Sequence, residues 1–138
     1  LLLQNGADVN AQGEDSDTPL RSACSSNYSK IVELLLHNRA DNRAHVNAQG
    51  EHSNTPLSSA CSRGYSKIVK LLLQNGADVN PQGTHSHTRL SSACSGGDIK
   101  VVELLLQNGA DVNAQGEDPE TPLHSACSRD DIKIVELL

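Results

Sequence analysis

Phenylalanine, tryptophan and methionine are absent from the 138 residues, and tyrosine occurs only at Tyr28 and Tyr65. A core must therefore be built from Leu, Ile, Val, Ala and Cys. Such a core suits an elongated fold whose units each bury a small patch against their neighbours, rather than a deep globular interior. Positive charge is also scarce: 11 Lys and Arg stand against 17 Asp and Glu, a formal charge of -6 with a pI near 5.4. Phosphate backbones and anionic bilayers recruit clustered Lys and Arg that displace counterions. Nucleic acid and membrane surfaces are therefore not expected as partners. Long apolar runs are missing too. The N-terminal stretch Leu1 to Leu3 is far too short for a signal-peptide core or a spanning helix, so the chain reads as soluble, without membrane insertion.

No C-x-x-C pair occurs. Cys24, Cys61, Cys94 and Cys127 are spaced far apart along the chain, which disfavours a zinc knuckle or a redox pair. Neither a Gly-rich phosphate loop after a strand nor a nucleophile beside a base is evident, since the many serines recur at equivalent positions instead of marking one strained elbow. No catalysis and no cofactor are expected.

What is present is repetition. Thr18-Pro19-Leu20, Thr55-Pro56-Leu57, Thr88-Arg89-Leu90 and Thr121-Pro122-Leu123 recur 37, 33 and 33 residues apart. Between them come the leucine triplets at 34–36, 71–73 and 104–106. A period of this length is one supersecondary unit repeated. The threonines are N-cap residues, and proline, whose missing N–H costs nothing at the first helical position, follows three of them. This first helix should stop at Asn27, Gly64, Gly97 or Asp130, residues that tolerate a left-handed backbone. A second helix carries Ile31, Val32, Leu34, Leu35 and Leu36 on a broad apolar face, with Lys30, Glu33 and His37 outward. In the later units it ends at Gly76 and Gly109.

Thr121-Pro122-Leu123-His124, together with the leucine run that closes on Asn108 to Ala114, resembles the ankyrin repeat over essentially the whole chain. The division is a partial unit (1–12), three whole units (13–49, 50–82, 83–115) and a truncated one (116–138). The resemblance implies an all-α solenoid of stacked helix-turn-helix units with projecting turns or hairpins. Turns and first helices would line a concave face that binds protein. Units cut at both ends suggest a segment of a longer array, monomeric within it, with end-to-end association in isolation as the lesser alternative. The four cysteines then fill a small-residue core column, and unpaired thiols suit a reducing intracellular compartment, with the cytoplasm as the expected location.

Four departures from the family pattern carry expectations. Glycine leads the turn at Gly13, Gly50, Gly83 and Gly116, while Ser16, Ser53, Ser86 and Pro119 fill the family's glycine position; an altered tip is expected. Arg21, Ser58 and Ser91 replace the histidine that bonds the capping threonine, so those three caps should lose a partner. Ser22, Ser59, Ser92 and Ser125 occupy a usually apolar column, which predicts a marginally stable array. Finally, Asn38-Arg39-Ala40-Asp41 is duplicated by Asn42-Arg43-Ala44-His45, which either lengthens the second helix by about one turn or makes a longer loop.

Carried over column by column, the family's contacts fall on Glu14, Asp15, Asp17, Ser25 and Ser26; Glu51, His52, Asn54, Ser62 and Arg63; Thr84, His85, His87, Ser95 and Gly96; Glu117, Asp118, Glu120, Ser128 and Arg129. The columns that differ most between near-identical units lie largely here. Acidic outer turns favour a partner presenting Lys or Arg, with salt-sensitive association. The middle turns, with His52, His85 and His87, would gain charge below about pH 6.5. Two other readings stay open: a spacer within a long array, and modification of turn asparagines. For the latter, Asn10, Asn80 and Asn113 fit the family's pattern for an asparaginyl hydroxylase, whereas Asn47 departs from it. The plainer role for these asparagines is local side-chain bonding within the turn.

Overall fold

The structure is a computed structural model that describes residues 5–38, 44–50, 54–80, 88–116 and 120–138, with Asp15 described by its backbone alone. Eight α-helices are found among these residues: α1 (Pro19–Ser25), α2 (Ser29–Leu36), α3 (Pro56–Ser62), α4 (Ser66–Gln74), α5 (Arg89–Gly96), α6 (Ile99–Gln107), α7 (Pro122–Ser128) and α8 (Ile132–Leu137). Each odd-numbered helix packs on the even-numbered helix after it. The odd helices also pack in series, α1 on α3 on α5 on α7, and the even helices do likewise. The result is two parallel layers of helices advancing by one pair per repeat, an all-α stack with no strand among the described residues.

Local sequence explains the helix ends. Thr18, Thr55, Thr88 and Thr121 each accept the N–H of the residue three further on, closing the first turn. At the other end, Asn27, Gly64, Gly97 and Asp130 all take positive φ, at 60°, 72°, 73° and 56°. This reverses the chain into the second helix. Asn75 and Asn108 cap α4 and α6, and Gly76 and Gly109 follow at φ 86° and 82°.

The core repeats by column. Leu20, Leu57 and Leu90, the alanines Ala23, Ala60, Ala93 and Ala126, and Val32, Val69 and Val102 are all buried, as are Leu35, Leu72 and Leu105. Cys24, Cys61 and Cys94 lie among them as free thiols, whereas Cys127 is exposed. Burial pushes Cys24 and Cys61 up to about 12 and Cys94 up to about 11.

The fate of the duplication is visible from its flanks. Residues 39–43 lie outside those described, but α2 stops at Leu36 with His37 as its cap, so it is no longer than its sister helices. The Ala44 N–H donates to the Leu35 carbonyl at 3.1 Å, as Ala77 does to Leu72 and Ala110 to Leu105, both at 3.0 Å. The unit thus rejoins its usual frame at Ala44.

Two expectations need correction. Ser58 and Ser91 do not leave their caps without partners. Ser58 Oγ accepts the Thr55 N–H at 2.9 Å, completing a capping box, and the Thr88 hydroxyl donates to Ser91 Oγ at 3.0 Å. At the third helical position a short hydroxyl reaches the cap as well as the His124 ring does, whose Nδ1 lies 2.9 Å from Thr121 Oγ1. The leading glycine does not take over the left-handed position either. Gly13 sits at φ -88°, and Ser16 itself adopts φ 55°. Ser53, Ser86 and Pro119 lie outside the described residues. Gly50 instead gives room: a Cβ there would lie 3.0 Å from Arg21 Nε, which reaches over from α1.

Candidate functional site

The turns that precede α1 and α3 are each closed by one backbone bond. The Gly13 N–H donates to the Asp17 carbonyl and the Gly50 N–H to the Asn54 carbonyl, each at 2.8 Å. In the first turn a 3-10 segment, Glu14–Ser16, makes the tip. Glu14 is exposed at that tip, and Asn54 and Glu120 are exposed in the equivalent stretches. Asp17 is internally committed: Oδ1 accepts Arg21 Nε at 2.7 Å and Oδ2 accepts the Ser22 hydroxyl at 2.7 Å. This pairing lets Arg21 lie across Gly50 while keeping its charge partnered, and it gives Ser22 an acceptor in the column expected to be apolar.

At the other end of the first helices, Ser26, Arg63 and Arg129 are exposed caps of α1, α3 and α7. Gly96, the residue in that column of the remaining unit, closes α5 and is also exposed. Arg129 leans back on the preceding unit, where a Cβ at Gly97 would lie 2.9 Å from its Nη2. The first-helix layer therefore carries this varied column at one end and the turns at the other. Glu51, His52, Thr84, His85, His87, Glu117 and Asp118, together with the Asp15 side chain, lie outside the described residues. The charge contrast between outer and middle turns falls with them.

The turn asparagines do something that local reasoning missed. Asn47 Oδ1 accepts the Asp78 N–H at 2.9 Å and its Nδ2 donates to the Gly76 carbonyl at 3.2 Å. Asn80 repeats this on Asp111 and Gly109, at 2.9 and 2.7 Å. Asn10 Oδ1 accepts the His45 N–H at 2.7 Å. Each carboxamide thus bridges to the following unit. Within the turn, the local bond belongs to the aspartates: Asp8, Asp78 and Asp111 accept the N–H of Asn10, Asn80 and Asn113. The one sequence signal for the bridge was that the Asn column never varies. Of the candidates for hydroxylation, Asn10 and Asn80 therefore hold units together, while Asn113, among the described residues, bonds through its backbone to Asp111.

Arg89 was also missed. It replaces the proline of the other units at the start of α5, yet it is 3 % exposed. Its Nη2 donates to Thr55 Oγ1 at 3.1 Å, across the seam between two units, while Nε is buried without an acceptor. Burial lowers this guanidinium from its ordinary value, and the nearby Cys61 and Asp78 act in the opposite direction.

No helix among the described residues is long and apolar enough to cross a membrane. Comparison with curated proteins gives no match. Family models described as ankyrin repeats match residues 1–83 (three copies) and 90–138 (many copies). Repeats of this kind generally serve as protein–protein interaction modules and are typically non-catalytic. With stacked helix pairs, capping threonines and paired cross-unit bonds all in register, the chain belongs to the ankyrin-repeat family.

Proposed function

We propose that this chain is a protein-binding scaffold, gripping its partner with the turn tips and the exposed ends of the first helices. One observation carries the reading. The repeated frame is almost invariant and spends its buried groups on holding units together, yet it presents Ser26, Arg63, Gly96 and Arg129 in one exposed column. A fixed scaffold with a varied exposed column is what recognition of an extended or folded partner requires, because rigid spacing lowers the entropic cost of binding. With Asp17 paired to Arg21, the residues Glu14, Asp15, Glu117, Asp118 and Glu120 still give the outer turns an acidic sequence, which suits a partner presenting Lys or Arg.

The test is capture of partners at low and at high salt, followed by kinetics with the partner obtained. Glu14→Gln with Glu120→Gln removes charge without touching the Asp17–Arg21 pair. It should slow association several-fold at low ionic strength and leave it nearly unchanged at high salt. Arg63→Ala with Arg129→Ala should speed dissociation. If both double variants bind with native rates, contact through these columns is rejected.

A further inference from the structure

Arg89 stands where the sister units carry Pro19, Pro56 and Pro122, and its one bond across the seam, to Thr55, leaves most of its donors unused. The prolines need no partner. A guanidinium keeps its proton in proteins and presents five N–H donors in a rigid fork. Burying one without a counter-charge is unfavourable unless strong acceptors surround it. Among the described residues the acceptor is neutral, Thr55 Oγ1 at 3.1 Å, which already accepts the Ser58 N–H. Nε has none. Among the described residues, no carboxylate lies within 4.0 Å of the guanidinium; the ion pairs are Arg21 with Asp17 and Lys67 with Glu33. Asp78 influences Arg89 at longer range, but its Oδ1 is already engaged by the Asn80 N–H at 3.1 Å.

We propose that Arg89 is an anion-recognition residue at the seam between units 50–82 and 83–115. In that role Nε and one Nη hold two oxygens of a carboxylate or phosphate group after the side chain swings off Thr55. Two parallel charge-assisted bonds are stronger than one bond to a shared hydroxyl, and the fork geometry matches an oxyanion. The exchange also relieves the orphaned Nε. This inference is independent of partner binding by the turns, because it requires only the chain and a small anion.

The experiment compares melting of the native chain in sodium phosphate, sodium acetate and sodium chloride at matched ionic strength, and follows the Arg89 Nε–H resonance by NMR. Acetate stands in for an Asp or Glu side chain of a protein partner, and phosphate for a free or attached phosphoryl group. Phosphate or acetate should raise the melting temperature by about 2–5 °C over chloride when present at a few times its dissociation constant, and should shift the Nε–H signal saturably. A response to acetate alone assigns a carboxylate; one to phosphate assigns a phosphoryl group. Arg89→Pro, which restores the pattern of the other units and so should fold, must lose the anion-specific increment. Arg89→Lys keeps the charge without the fork and should retain only a small part of it. Equal anion responses in native chain and Arg89→Pro, or no response of native Nε–H to either anion, overturn the proposal.

Discussion

Ile31 and Ile68 occupy the same column of the repeat, yet Ile31 is 46 % exposed and Ile68 is fully covered. Val135 is 37 % exposed while its counterparts Val69 and Val102 are fully covered, and Cys127 is exposed where Cys24, Cys61 and Cys94 are buried. Nothing in the local sequence distinguishes the members of each set. For the second helices the difference lies in their neighbours: α4 and α6 have an even-numbered helix packed on both sides, whereas among the described helices α2 and α8 have one on a single side, and α7, which carries Cys127, likewise has an odd-numbered helix on one side alone. The middle of the stack and its outer units are thus made of the same text with different energetics. A unit does not bury its own apolar face, and its stability belongs to the seams.

The contrast is widest in thiol chemistry. Cys127 should react with a maleimide at the rate of an exposed thiol, while Cys24, Cys61 and Cys94 must wait for the stack to open. An opening free energy of about 4 kcal/mol slows them roughly a thousandfold. Four equal rates would mean that the seams open freely. The buried thiols also set a pH limit. Their folded values lie above the ordinary 9.0, at about 12 for Cys24 and Cys61 and about 11 for Cys94. The unfolded chain therefore ionises first, and stability should fall as pH rises from about 9 towards 12.

Truncating the shared column sharpens the same comparison. Ile68→Ala removes a fully covered side chain from α4, the helix packed between α2 and α6, and should cost about 2–4 kcal/mol in a denaturant melt. Ile31→Ala, with nearly half its surface already in water, should cost less than about 1.5 kcal/mol. Similar losses at both positions would show that the outer unit is as tightly packed as the middle one.

Next in size are the asparagine bridges. Asn80→Ala removes two bonds to the following unit and leaves the Asp111 N–H and the Gly109 carbonyl without their partner. A loss of about 1–2 kcal/mol is expected. Asn113 makes no cross-unit bond among the described residues, so Asn113→Ala should fall within about 0.5 kcal/mol of the native value. Equal effects would mean that Asn80 acts only within its own turn.

The division between what the sequence reveals and what it hides follows the same line. Capping threonines and the left-handed residues Asn27, Gly64, Gly97 and Asp130 were legible because their causes lie within a few residues of the chain. The bridges from Asn47 and Asn80 span 29 and 31 residues, and the Arg89–Thr55 bond spans 34. Only a known register between units brings those partners together. Gly50 was misread for the same reason. Its local sequence suggests a turn with positive φ, but what it makes room for is the Arg21 side chain arriving from the preceding unit. The turn columns proposed for partner binding were legible as variation among copies, while whether a side chain was exposed, as Glu14 is, or committed, as Asp17 is, depended on contacts the sequence does not spell out.

The smallest expected effect lies on the outer helices, where charge rather than packing links the units. Lys67 Nζ sits 3.3 Å from Glu33 Oε1 across α2 and α4 and donates to the Ser29 hydroxyl at 3.2 Å. By the repeat register the equivalent pair across α4 and α6 is Lys70 with Lys100, two like charges, because Lys70 stands in the column of Glu33. Glu33→Gln should therefore destabilise and Lys70→Glu should stabilise, each by about 0.2–1 kcal/mol, as is usual for exposed pairs. Both changes should shrink towards zero in 1 M salt, where the screening length falls to about 3 Å. A Lys70→Glu variant no more stable than the native chain at low salt would show that the register holding the buried seams together does not extend to the charged ends of these side chains.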